Sequence, residues 1–157
     1  MSDNQITILL WSLPVAISLH VFEEFAFPGG LKQWIRTYRP RKPKGNWYYV
    51  AINAFAIVLA ALLAWTARDY PGSLRGYLYF AALVAGNGAA HIRGTLQTRR
   101  YCPGIVSGGA LLIPIFALNC WHFLAAGTLG LASTLACIAV GAFIGFYVFG
   151  VDRRKQA

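Results

Sequence analysis

The chain has 157 residues, 57% of them hydrophobic and only 12% charged, with a net charge of +9. A soluble domain of this size needs far more polar surface to cover its core, so a water-soluble globule is excluded. The surplus of Lys and Arg could suggest nucleic acid, but it falls between apolar runs, where the positive-inside rule puts cytoplasmic loops, and no nucleic-acid partner is expected.

The expected fold is all-α and integral to the membrane. One domain over residues 1–157 forms a bundle of about five transmembrane helices, with spans at about 5–27, 47–67, 76–95, 105–126 and 130–150. The first apolar run has no basic region before it and is long enough to span, so it reads as a retained helix and not as a cleaved signal peptide. Pro28, Gly29 and Gly30 end it. A basic loop follows, with Lys32, Arg36, Arg39, Arg41, Lys42 and Lys44, and one short surface helix is expected near Trp34. The second span opens on the interfacial aromatics Trp47, Tyr48 and Tyr49, and Tyr70-Pro71-Gly72-Ser73 marks the turn after it.

Tyr77 and Tyr79 begin the third span, and Arg99 to Gly104 form the next loop. From Ile105 to Val151 there are 47 residues without a charge, too many for one helix at about 1.5 Å per residue. Two helices joined near Gly127 to Gly130 are expected, the first kinked at Pro114. Arg153, Arg154 and Lys155 close the chain. The first loop, the third loop (Arg93, Arg99, Arg100) and the tail are the basic ones. The amino-terminus is therefore expected outside and the carboxy-terminus in the cytoplasm, and the expected location is a bacterial cytoplasmic membrane. There is no internal repeat, and an odd number of spans argues against a duplicated-transporter plan.

Ionisable groups at membrane depth are costly and therefore candidates for function. Two of the five acidic residues, Glu23 and Glu24, sit side by side in the first span, and His20, His91 and His122 all fall in expected spans. His20 precedes the two glutamates by three and four residues, so the three share a helical face. Asn87 and His91 do the same in the third span, and Asn53 is the one strongly polar residue inside the second. Counting along the helices puts His20, Glu23, Glu24, Asn53, Asn87 and His91 in the cytoplasmic half of the bilayer, where they could line one pocket. The fourth helix starts inside, so Asn119 and His122 fall in its outer half beside Trp121. His122 is thus expected to miss the pocket by on the order of 15 Å and to be an interfacial histidine.

The stretch His20-Val21-Phe22-Glu23-Glu24 resembles the signature of a family of uncharacterised membrane proteins named for an H-x-x-E-E motif. Asn87, His91, Tyr101 and Pro103-Gly104 look like later elements of the same family, and the resemblance runs to the start of the fourth helix. It implies a shared membrane fold and site, and no particular reaction.

Several chemistries suit such a pocket. His20, Glu24 and His91 could ligate zinc or non-haem iron, leaving Glu23 as a base, although a metal-free cluster that fastens three helices together uses the same residues. Two adjacent buried glutamates could instead act as acid and base with His91, with Asn53 and Asn87 orienting them. That suits an isomerase or cyclase of lipid metabolism, working on a lipid or isoprenoid-like substrate reached from the bilayer. Haem held between His20 and His91 is a further possibility, disfavoured by the adjacent acids. A proton-coupled transporter or channel subunit is the main alternative to an enzyme.

Arg93, Arg99, Arg100 and Tyr101 read as ordinary inside charge, or as a clamp for an anionic headgroup or diphosphate at the mouth of the pocket. The cysteines Cys102, Cys120 and Cys137 are scattered and odd in number, so they are expected to be small apolar core residues without a disulfide framework. Gly141-x-x-x-Gly145 in the glycine-rich fourth and fifth helices is a helix-packing motif, serving the bundle or a homo-oligomer.

Overall fold

A computed structural model describes residues 2–26, 30–39 and 43–147, without the side chains of 145 and 146. The expected helix end at Phe27 to Gly29, the loop residues Pro40, Arg41 and Lys42, Gly150, and the tail with Asp152, Arg153, Arg154 and Lys155 lie outside the described residues. The described residues form six helices: α1 (Asp3–Ala26), α2 (Gly30–Tyr38), α3 (Asn46–Thr66), α4 (Pro71–Thr98), α5 (Ile105–Ala125) and α6 (Leu131–Tyr147).

Local chemistry starts and stops these helices. Ser2 and Gln5 bracket the start of α1 as a reciprocal cap: the Ser2 N–H donates to Gln5 Oε1 at 2.8 Å, and the Gln5 N–H to Ser2 Oγ at 3.4 Å. Pro71 opens α4 where a missing N–H costs nothing. Within α1, Pro14 cannot donate to the Leu10 carbonyl one turn back. The Tyr77 hydroxyl of α4 donates to that carbonyl instead, at 3.0 Å, so the gap in one helix is filled by its neighbour.

In α5, Pro114 is preceded by a single π turn over Gly108–Leu112. The expected distortion at Pro114 thus takes the form of a widened turn that makes room for the ring.

Among the described residues, α1, α3 and α5 are long and apolar enough to cross a membrane. Length and apolarity therefore mark three crossing helices, where the hydrophobic runs of the sequence suggest about five. The expected third span belongs to α4, which is longer than expected at 28 residues but carries Arg75, Arg93 and many glycines. α6 is apolar but has only 17 described residues. In α3 only Ala60 and Ala64 are buried, while Phe55, Val58, Leu62 and Trp65 face outward. A helix that presents large apolar side chains to its surroundings suits lipid better than water.

The core runs along α4, the central helix. Leu10, Leu13 and Ile17 of α1, Ala60 and Ala64 of α3, and Leu112 and Phe123 of α5 pack on Tyr77, Leu78, Ala81 and Ala82. Two glycine contacts bring backbones together. A β-carbon on Gly88 would lie 2.8 Å from the Gly108 carbonyl oxygen in the π turn, and one on Gly86 would lie 2.2 Å from that of Gly141 in α6. Gly141 therefore serves packing inside the bundle. A smaller cluster of Trp34, Ile35, Ala90 and Cys102 fastens the amphipathic α2, the helix expected near Trp34, across the same end of α4.

Candidate functional site

Depth and face converge at the far end of α1 and α4. Asp3 and Arg68 pair at 3.3 Å at the opposite end of the bundle, and α1 and α4 run from there to bring His20, Glu24, Asn87 and His91 to one level. His20 and His91 are 3% and 0% exposed, and Glu23 and Glu24 are also buried. Glu24 Oε1 lies 3.1 Å from His91 Nε2 and 3.5 Å from His20 Nε2. The Asn87 amide nitrogen lies 3.1 Å from His20 Nε2 and 3.4 Å from His91 Nε2.

The two glutamates, adjacent in sequence, have separate tasks. Glu24 turns to the histidines, and Glu23 turns to the loop that opens α5. Glu23 Oε1 accepts from the Gly104 N–H (3.0 Å), the Val106 N–H (3.0 Å) and the Tyr101 hydroxyl (2.5 Å). Its Oε2 accepts from the Ser107 N–H (2.7 Å) and the Ser107 hydroxyl. Main-chain N–H groups at a helix start lack partners within the helix, and this carboxylate supplies them.

This network assigns one histidine proton. The Ser107 hydroxyl spends its proton on Glu23, so it can only accept from His20 Nδ1, 2.9 Å away. His20 Nδ1 therefore carries a proton, and its Nε2 faces the Asn87 amide. His91 Nε2 faces both that amide at 3.4 Å and the Glu24 carboxylate at the shorter 3.1 Å. On its other side, His91 Nδ1 meets Cys102 Sγ at 3.3 Å. Burial, followed by the nearby Glu24 charge, pushes the Cys102 thiol up to about 12, so it is a neutral partner there. Tyr101 is likewise raised, by burial and then by the Glu23 carboxylate that holds its proton.

His20, Glu24 and His91 each offer one ligand atom that lies within 4.8 Å of the other two. This buried group could hold a metal ion. Tetrahedral zinc with bonds of about 2.0–2.1 Å sets its ligands roughly 3.3 Å apart, which the 3.1 and 3.5 Å separations bracket. Each imidazole's other nitrogen is held by a second residue, as metal-ligating histidines require. Haem does not fit between them. The rings meet edge to face with centroids 5.0 Å apart, and Gly104 packs against both, which leaves no slot for a macrocycle.

Gly104 completes the site. Its φ is +99°, and a β-carbon there would lie 2.8 Å from Cε1 of both His20 and His91. Only glycine meets both demands.

Other expected residues lie elsewhere. Asn53 is half-buried on α3, and no hydrogen bond joins it to the cluster among the described residues. Arg100 is exposed, and neither it nor Arg93 lines the cavity that reaches Glu24. His122 stacks edge-on against Phe123 at the other end of α5, 15 residues past Ser107, roughly 22 Å along the helix. Ser107 and Cys102 belong to the site but carry no sequence signal of it beyond their place beside Pro103-Gly104. Cys120 and Cys137 are buried and free, as expected of core residues.

A family model described as a protein of unknown function with an HXXEE motif matches residues 11–119. No curated protein and no solved structure matches the chain.

Proposed function

The chain belongs to the family of proteins of unknown function with an HXXEE motif, and from its site we propose that it is a membrane-embedded enzyme acting on a hydrophobic substrate through His20, Glu24 and His91. These three residues hold a divalent metal ion, zinc or non-haem iron. The observation that carries this reading is the convergence of two imidazoles and a carboxylate in a buried place, each offering a ligand atom within 4.8 Å of the others. Such a cluster is stable when a cation sits at its centre. Three protein ligands leave a fourth position for substrate or water, the pattern of catalytic sites.

In this reading α4 and α6 complete five spans, and the site lies toward the cytoplasmic side. Glu23 is a positioning residue that holds the Gly104–Ser107 turn against the histidines. Asn87 orients the ligands, and the substrate reaches Glu24 from the bilayer. The far half of the bundle supports an enzyme over a transporter. Leu10, Leu13, Tyr77, Leu78 and Ala81 are at most 1% exposed, so among the described residues that half is filled by packed side chains.

Elemental analysis and an absorption spectrum of the purified protein, beside His20→Ala, Glu24→Gln and His91→Ala, test the proposal. About one zinc or iron per chain, lost in all three variants, is expected. Folded wild-type protein without metal would discard the metal centre and leave proton transfer between Glu24 and the histidines as the chemistry.

A further inference from the structure

Glu24 also lines a cavity of about 350 Å³, together with Phe25, Leu31, Tyr49 and Val50 and with the polar Lys32 and Asn46. Lys32 also borders a neighbouring cavity of about 460 Å³, together with Arg36 and Lys44. One lysine is thus shared by an apolar cleft that ends at the site and a basic cleft that ends at the surface. From the substrate reading above, on which this inference rests, we propose that the ligand is a phosphorylated amphiphile. Its phosphate sits among Lys32, Arg36 and Lys44, and its chain enters the apolar cleft toward Glu24.

Helix α2 builds the basic cleft. Lys32 and Arg36 are four residues apart and so lie on one face, while Trp34 and Ile35 are buried on the other. The Trp34 ring anchors that inner face on α4: a β-carbon on Gly94 would lie 3.0 Å from Trp34 Cη2. Lys44 comes from the segment that leads into α3. The Lys32 ammonium donates to Asn46 Oδ1 at 2.6 Å, which leaves two of its three N–H donors for a ligand.

Lys32, Arg36 and Lys44 share this corner of a chain poor in acids. The chain has five acidic residues. Asp3 pairs with Arg68 at the opposite end, Asp69 lies in the turn between α3 and α4, Glu23 is held by the loop before α5, and Asp152 is outside the described residues. Among the described residues no carboxylate other than Glu24 lines either cavity. A dianionic phosphate complements this charge, and the apolar walls complement an alkyl or isoprenoid chain. The adjoining clefts fit a molecule with both parts better than a free anion or a neutral lipid.

The test uses full-length protein in phosphatidylcholine nanodiscs and radiolabelled dodecyl phosphate, with empty nanodiscs subtracted. Saturable binding is expected, weakened roughly 30-fold in a Lys32→Ala, Arg36→Ala double variant and less in Lys44→Ala, whose loop position spares the fold. Competition by phosphatidylglycerol would assign the phosphate to a bilayer lipid. Competition by dodecyl phosphate but not by phosphatidylglycerol would assign it to a separate phosphorylated amphiphile. Equal competition by dodecanol or by inorganic phosphate, or unchanged binding in both charge variants, would overturn the proposal. Metal analysis of the same Lys32, Arg36 and Lys44 variants is expected to match the wild type, so loss of metal and loss of the amphiphile are read separately.

Discussion

The Gly104 N–H donates to Glu23 Oε1 at 3.0 Å while the same glycine's α-carbon rests against the rings of both His20 and His91. Glu23 thus acts on the histidines through a glycine that has no room for a side chain. A Gly104→Ala substitution meets a positive φ and two contacts of 2.8 Å at once. It is expected to destabilise the protein by about 2–4 kcal/mol and to spread the histidines, with metal content falling in parallel. Thermal unfolding together with metal analysis checks this, and a variant of wild-type stability and metal content would refute the packing argument.

The two glutamates should separate cleanly by measurement. Glu23→Gln turns an NH2 group toward main-chain N–H donors, each of which costs about 1–3 kcal/mol when left unpaired. Its main effect is expected on unfolding temperature. Glu24→Gln removes a ligand and is expected to abolish metal binding with little loss of stability. The reverse pattern would mean that the roles have been exchanged.

Cys102 is fully buried, and its thiol holds its proton to about 12, against an ordinary value near 9. A raised thiol stabilises the fold fully below pH 9, and that contribution is lost as pH rises toward 12. Maleimide at pH 8 should therefore leave Cys102 unlabelled in native protein and label it after unfolding. Cys102→Ala, which removes the partner of His91 Nδ1, should weaken metal binding by about 10–100-fold in a chelator titration. Unchanged affinity would show that the sulfur only fills space.

Tyr77 and Pro14 should be coupled. Tyr77→Phe leaves the Leu10 carbonyl without its donor, at a cost of about 1 kcal/mol. In a Pro14→Ala background the helix supplies its own N–H and the same substitution should cost almost nothing. A double-mutant cycle read by thermal unfolding measures this, and additive effects would remove the link.

The sequence exposed the site unevenly. Charges and imidazoles inside apolar runs stand out, so His20, Glu24, Asn87 and His91 were legible by depth alone. Depth is one coordinate, however, and the direction around the helix axis is another. Asn53 is expected from depth alone, and no hydrogen bond joins it to the cluster among the described residues. Neighbouring residues on a helix point about 100° apart, which is why Glu23 and Glu24 address different partners. The donors that hold Glu23 are mostly main-chain N–H groups, which every residue has and which leave no mark in a sequence. The same limit applies to α4. Its glycines allow close packing at the centre of the fold, yet they lower the apolarity by which a crossing helix is recognised.

The adjacent glutamates Glu23 and Glu24 also set an electrical balance. With both histidines neutral and both acids ionised, the four side chains would sum to two negative charges, in surroundings where hydrocarbon offers no counterion. A divalent ion brings that sum to zero. Metal release would then require two protons to arrive in its place, and the occupancy of the site would be tied to the acidity of whichever compartment its cavity faces.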